Sequence, residues 1–78
     1  MKTTDYFEMV RARRDRAGIL ESWITRVVAH PQYQSVQADG RIRRWGRIDQ
    51  AGGRWLRVVV LADGETVHNA FFDRDFEP

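Results

Sequence analysis

The segment from Arg41 to Ile48 has arginine or tryptophan at every second position, and two further strand-like runs follow it. Successive side chains of a β-strand point to opposite faces, so this spacing puts its charged and aromatic residues on one side. The valine-rich run 54–61 and the run 66–72 are typical of the next two strands, and Asp63-Gly64 between them favours a two-residue hairpin turn. The pattern predicts an antiparallel sheet with one basic face.

The Asp63-Gly64 turn also predicts how the last two strands pair. Counting outward from a two-residue turn gives four opposite pairs: Val60 with Val67, Val59 with His68, Val58 with Asn69, and Arg57 with Ala70. Burial selects the register with the preceding strand, because a slip of one residue would move arginines into the apolar side. One face then carries Arg41, Arg43, Trp45, Arg47, Trp55, Arg57 and His68. The apolar face carries Ile42, Ile48, Leu56, Val58, Val60, Val67 and Phe71.

Two helices are predicted before the sheet. The first covers about residues 5–17, with Asp5 as its cap and Glu8 completing a capping box. The second covers about residues 20–29, carries an apolar stripe and ends before Pro31. The predicted strands are 35–38, 41–48, 54–61 and 66–72, in a single domain of residues 1–78. We therefore predict an α+β fold, with both helices on the apolar face of an antiparallel sheet of about four strands.

The length and composition limit the classes of protein that fit. A chain of 78 residues builds only a small core, so a homodimer or a tight partner is an expected source of further stability. The absence of cysteine excludes a disulfide framework, a thiol nucleophile and a thiolate metal site. No apolar run reaches the length of a membrane span, and the first residues lack a signal-peptide core. These features predict a cytoplasmic protein without membrane contact.

The charges are segregated along the chain. Six arginines lie from Arg41 to Arg57 against the single acid Asp49, whereas the charged residues after Leu61 are mainly acidic. The guanidinium group matches phosphate in a bidentate way that lysine does not. A general bias of the genome toward arginine would explain the same composition. The acidic tail, residues 73–78, is either a solvated terminus or an intramolecular screen for the arginines.

The basic face has the residues that single-stranded RNA needs. Arginines neutralise phosphates, and Trp45 and Trp55 offer surfaces on which bases stack. Arg47 on the same strand and Arg13 in the first helix extend the predicted RNA-binding surface. The alternative is a solvated strand face on which arginines cover the tryptophans through cation–π contacts.

His68 is the side chain of this face that titrates near neutral pH. RNA cleavage through the 2′-hydroxyl needs a proton acceptor, a proton donor and cations that stabilise the charged phosphorane, and it needs neither metal nor cofactor. The predicted catalytic group is His68, with Arg41, Arg43 and Arg57. The alternative is that His68 makes a structural hydrogen bond in the sheet.

Two stretches, Val36 to Trp45 and Leu56 to Asp73, resemble a widespread family of small bacterial proteins with a domain of unknown function. That family is similar to RelE-type and BrnT-type toxins of type II toxin–antitoxin systems. The resemblance implies a RelE-like fold, RNA cleavage without metal, RNA or a ribosome as partner, and neutralisation by a cognate antitoxin. Related proteins commonly have a histidine where Met9 stands here, with an arginine at the position of Arg13. The lack of that histidine leaves His68 and the arginines as the expected catalytic residues.

Two other functions fit the same residues. The first is a non-catalytic module that uses the basic face to bind RNA or an acidic protein. The second is a small assembly protein whose exposed strand edge or tryptophans pair with another chain. Salt-sensitive RNA binding separates the first from the second, and cleavage of RNA separates the toxin from both.

Overall fold

The computed structural model describes all residues from 1 to 78. It contains two helices and a four-stranded antiparallel sheet in the order β1-β2-β3-β4, so the α+β prediction is confirmed. Neither helix is long and apolar enough to cross a lipid bilayer. The elements are α1 Asp5–Val10, α2 Glu21–Ala29, β1 Tyr33–Val36, β2 Ile42–Ile48, a short 3-10 turn Asp49–Ala51, β3 Arg54–Val60 and β4 Val67–Phe72.

The core lies between the helices and one face of the sheet. Phe7 of α1 and Ile24 and Val27 of α2 are buried against side chains of the sheet. Gly46 of β2 lies directly under α2: a Cβ atom on this glycine would be only 2.8 Å from Cγ2 of Val27. The missing side chain therefore sets how closely α2 approaches the sheet. The buried sheet residues of this core are Ile48, Leu56, Val58, Val60, Val67 and Ala70.

Helix α1 is much shorter than the 5–17 predicted. It ends at Val10, and residues 11–19 continue as turns in which the amide of Arg13 donates to the carbonyl of Val10 and that of Arg16 to the carbonyl of Arg13. The side chains after Val10 are mainly charged, so a longer helix would bury nothing against the sheet. The cap is Thr4 rather than Asp5: its hydroxyl accepts from the amide of Phe7 at 3.1 Å.

Strand β1 ends two residues earlier than the predicted strand 35–38. The amide of Gln37 donates to the carbonyl of Arg41, so residues 38–40 form a three-residue loop between β1 and β2. Gly40 has a φ of +89°, a left-handed conformation that glycine adopts without strain. Every residue of β1 is exposed, and 68% of the surface of Val36 is accessible to solvent.

The hairpin of β3 and β4 begins as predicted and then shifts by one residue. Val60 lies opposite Val67, but a β-bulge follows, so that Val59 lies opposite Asn69 instead of His68. Ala70 is consequently in the core, and Phe71 lies on the open face, which reverses the prediction for Phe71. Asn69, expected on the opposite face from His68, lines the same cleft as His68. The bulge inserts one extra residue in β4, so the side chains after it point to the opposite faces from those predicted.

The predicted Asp63-Gly64 sequence lies in the loop of this hairpin, but the tight turn is one residue earlier than predicted, because the amide of Gly64 donates to the carbonyl of Leu61 and Ala62 and Asp63 are its central residues. The amide of Leu61 donates to the carbonyl of Thr66, and Gly64 has a φ of +76°. The carboxylate of Asp63 accepts from the hydroxyl of Thr66 and from the amides of Thr66 and Glu65. These bonds stabilise the ionised form and lower the pKa of Asp63 to about 2.

Candidate functional site

A shallow cleft of about 370 Å³ lies on the open face, between α1, the end of β1 and strands β3 and β4. We call it the His68 cleft. It brings together three of the four predicted catalytic residues, Arg41, Arg57 and His68, while Arg43 is not among its walls. The other lining residues are Tyr6, Gln37, Val59, Asn69 and Phe71.

The imidazole of His68 is held by the start of α1. Nδ1 lies 3.0 Å from the hydroxyl oxygen of Thr4, and the ring stacks on Tyr6 with centroids 4.9 Å apart and planes inclined by 25°. Backbone bonds fix this geometry: the amide of Thr4 donates to the carbonyl of Val67, and the amide of Val67 donates to the carbonyl of Lys2. Nε2 makes no hydrogen bond within the protein. The ring is thus anchored at one nitrogen and free at the other.

The surroundings of His68 favour its neutral form. Partial burial is the largest cause and lowers the pKa of the imidazole, and the nearby charge of Arg41 lowers the pKa further. Asp39 acts in the opposite direction with a smaller effect. At neutral pH the imidazole is therefore available to accept a proton.

The two arginines of the cleft differ in burial and in their contacts with carboxylates and aromatic rings. Arg41 has a half-exposed side chain with an ion pair of 3.5 Å to Asp39. Arg57 is more buried: its Nη1 lies 3.6 Å from Oδ2 of Asp73, and its Nε is buried without a partner. The guanidinium of Arg57 also lies over Trp45 and over Phe71, 5.7 and 5.2 Å from the ring centroids. Arg41 is the more accessible cation of the pair.

Arg43 is next to the cleft rather than in it. It lies opposite Val59 of β3 and Ser35 of β1, and its Nε is buried without a hydrogen-bond partner. Arg44, on the other face, is used structurally, because its Nη1 donates to the carbonyls of Val28 and Gly64 at 3.0 and 2.7 Å. The arginine-rich stretch is therefore divided between the two faces by the strand alternation.

Trp45 does not offer the stacking surface that the sequence predicts. Only 7% of it is exposed, because the C-terminal segment folds back and Phe76 stacks on its ring, with centroids 4.5 Å apart and planes inclined by 15°. Its Nε1 donates to Oδ2 of Asp73 at 3.0 Å. Of the two interpretations of the acidic tail, the contacts of Asp73 correspond to the intramolecular screen.

The remaining predicted RNA-binding residues lie outside the His68 cleft. Trp55 is partly exposed and touches Tyr33 and Phe76 edge-on, with ring centroids 5.6 and 5.2 Å away. Arg47 is exposed, with its Nε 3.9 Å from Asp49. Arg13 is exposed in the turns after α1 rather than within a helix.

Sequence reasoning missed two residues that contact His68: Tyr6, which lines the cleft, and Thr4, which bonds to Nδ1 of the imidazole. Tyr6 is 42% exposed and stacks on the ring of His68. The signal for Thr4 was its position directly before the helix, where threonine is a favoured cap. No group of three or more histidine, aspartate or glutamate side chains is close enough to hold a metal ion.

Comparison with protein-family models, with curated proteins and with solved structures finds no match to this chain.

Proposed function

We propose that this protein is an RNA-cleaving toxin of a type II toxin–antitoxin system, acting without a metal ion. The observation that carries the proposal is His68, neutral at physiological pH and with a free Nε2, in one cleft with Arg41 and Arg57. A proton acceptor beside two cations suits attack by a hydroxyl group on a phosphodiester.

In this mechanism Nε2 of His68 takes the proton of the ribose 2′-hydroxyl. The 2′-oxygen forms a bond to phosphorus while the bond from phosphorus to the 5′-oxygen breaks, which leaves a 2′,3′-cyclic phosphate and a 5′-hydroxyl. Arg41 and Arg57 stabilise the charge on the phosphorane. Tyr6, the other side chain of the cleft that suits proton transfer, supplies the proton to the departing 5′-oxygen.

This mechanism requires one tautomer of His68. Nε2 accepts a proton only if Nδ1 carries the hydrogen, and Nδ1–H then donates to the hydroxyl of Thr4. That oxygen already accepts from the amide of Phe7, and a hydroxyl oxygen has two acceptor positions. Thr4 thus has the capacity to hold the catalytic tautomer.

The biological part of the proposal comes from the resemblance of residues 36–45 and 56–73 to a family of small bacterial proteins that is itself similar to RelE-type and BrnT-type toxins. It assigns RNA, free or on a ribosome, as the target in the cytoplasm, and a small cognate antitoxin as the protein partner. The RelE-like arrangement of the two helices and the sheet is part of the same proposal.

The direct test is cleavage of a labelled single-stranded RNA by the purified protein in excess chelator. We expect products with a 2′,3′-cyclic phosphate, and we expect His68→Ala to lower the rate by about 100-fold or more. His30→Ala is the matched control, because His30 is exposed beyond the end of α2 and away from the cleft. Equal rates for wild type and His68→Ala would contradict the mechanism, and growth arrest by induced wild type alone would support the toxin.

A non-catalytic RNA-binding module is the second candidate. It is favoured by the engagement of Arg57 with Asp73, which reduces the cations free to stabilise a phosphorane. Under this alternative, RNA remains intact over long incubation while its affinity for the protein falls steeply with salt.

A further inference from the structure

A second concavity, of about 230 Å³, lies where β3 begins and β4 ends. We call it the aromatic slot. Its walls are Arg54, Trp55, Phe72, Asp73, Arg74 and Phe76, so three aromatic rings and two arginines face one small space.

The free charge of the slot is positive. Oδ2 of Asp73 accepts from Nε1 of Trp45 and pairs with Arg57, while its Oδ1 accepts from the amide of Asp75. Arg74 is exposed and makes neither an ion pair nor a side-chain hydrogen bond. Arg54 lies over the ring of Phe72, 3.9 Å from its centroid. An anionic ligand with a flat apolar part matches this combination of cations and rings.

The aromatic slot connects to the His68 cleft across the edge of β4. A third concavity, of about 370 Å³, shares Phe71 with the cleft and shares Arg54, Phe72 and Arg74 with the slot. Arg16 also lines it, with its guanidinium 5.2 Å from the centroid of Phe71. Arginines and aromatic rings, together with the carboxylate of Asp15 that pairs with Arg16 at 3.3 Å, therefore line neighbouring concavities from His68 to Trp55.

We propose that the aromatic slot is a nucleobase subsite for single-stranded RNA whose backbone runs along these concavities to the His68 cleft. The inference rests on the proposed function and specifies its substrate. Trp55, Phe72 and Phe76 contact the base, while the exposed guanidinium of Arg74 contacts a phosphate. The substrate is single-stranded, because a base held in a duplex is not free to enter a slot.

An extended acidic peptide fits the same surface less well. Peptides bind sheet edges mainly through backbone hydrogen bonds to the outer strand. The outer edge of β4 is already engaged: residues 2–4 bond to the backbone of Val67, and Nη1 of Arg16 lies 3.4 Å from the carbonyl oxygen of Ala70.

Binding is measured with a fluorescent single-stranded 2′-O-methyl RNA, in which the attacking hydroxyl is blocked. We expect Arg74→Glu and Trp55→Leu each to weaken binding by about tenfold or more. Arg26→Glu, a charge reversal at an exposed position of helix α2, is the matched control and leaves the affinity unchanged. Arg74→Glu tests the subsite even if Trp55→Leu fails to fold, since Arg74 is exposed.

Cleavage kinetics separate the subsite from the catalytic proposal. With cleavable RNA we expect Arg74→Glu to raise KM by about tenfold and to change kcat much less. His68-dependent cleavage with an unchanged KM in Arg74→Glu would overturn the subsite and leave the proposed function standing. Arg74-dependent binding without any cleavage would support the subsite and overturn the enzyme.

Two further results would overturn the subsite. One is wild-type protein that binds duplex RNA as tightly as the single strand. The other is a glutamate-rich peptide of equal charge that binds as tightly as RNA and depends equally on Arg74, because the slot would then select charge and not a base.

Discussion

The hydroxyl oxygen of Thr4 lies 3.0 Å from Nδ1 of His68, a contact between residues 64 positions apart. The same oxygen accepts from the amide of Phe7 and so caps α1. One side chain therefore links the start of the first helix to the imidazole on the last strand. We infer that folding of the N-terminus and orientation of His68 are coupled.

Replacing Thr4 with valine tests this coupling. Thr4→Val removes the cap and the partner of Nδ1, and we expect it to lower the free energy of unfolding by about 1 kcal/mol. We also expect RNA cleavage to fall by about tenfold or more, because the ring loses its fixed orientation and tautomer. Denaturant unfolding and cleavage assays measure the two effects.

Thr4→Ser keeps the hydroxyl and should keep both stability and cleavage. Thr3→Val is the neighbouring control, since the Thr3 hydroxyl donates to Glu8 and makes no hydrogen bond to His68. A Thr4→Val protein with wild-type cleavage would remove Thr4 from the mechanism.

The sheet was predictable because the sequence signals for its strands and turn each involve residues that are close together in the chain. Strand alternation in residues 41–48, the valine-rich run after Arg54 and the Asp63-Gly64 turn each need only neighbouring residues to be interpreted. Ile42 of β2 lies opposite Val60 of β3, so the two strands place their apolar residues on the same face of the sheet, as predicted.

The details of the site were less predictable because they depend on contacts distant in sequence. The bulge beside His68 has no glycine to mark it, and the backbone of Val67 is bonded to residues 2–4 at the other end of the chain. The burial of Trp45 depends on Phe76, 31 positions later, folding back onto the sheet. The composition of residues 73–78 identifies an acidic tail but does not predict that this tail folds over the ring of Trp45.

Gly46 provides a test of the packing between α2 and the sheet. In Gly46→Ala the new methyl group would lie 2.8 Å from Cγ2 of Val27, so helix and strand must separate. We expect a loss of about 1–3 kcal/mol in the free energy of unfolding. For a domain of this size each kcal/mol lowers Tm by about 4–8 °C, which calorimetry resolves.

Gly18→Ala is the matched control for this change. Gly18 has no atom within 4 Å of the position of its Cβ and does not have a positive φ. The Tm of the Gly18→Ala variant should therefore remain near that of the wild type. Similar Tm values for the two variants would show that α2 packs more loosely on β2 than the structure indicates.

Phe76 provides a test of the folded-back tail. Phe76→Ala removes the ring stacked on Trp45, and we expect a loss of about 1–2 kcal/mol together with a shift of tryptophan fluorescence to longer wavelength. Glu77→Ala, one residue further along, changes an exposed side chain and should alter neither quantity. Unchanged fluorescence in Phe76→Ala would mean that the tail does not cover Trp45 in solution.

Arg41 controls part of the titration of His68. Burial lowers the pKa of the imidazole most, and the positive charge of Arg41 lowers it further by disfavouring the imidazolium. Removing that charge in Arg41→Gln should raise the pKa part of the way toward the ordinary histidine value. The neutral base then accumulates only at higher pH, so the acid limb of the cleavage profile shifts upward.

Arg41→Lys keeps the positive charge and should leave the limb near its wild-type position, even if the rate itself falls. NMR titration of the His68 ring protons gives the same pKa without relying on activity. An unchanged pKa in Arg41→Gln would show that Arg41 does not act electrostatically on His68. A raised pKa measured by NMR, without a matching shift of the cleavage profile, would instead assign the titrating catalytic group to a residue other than His68.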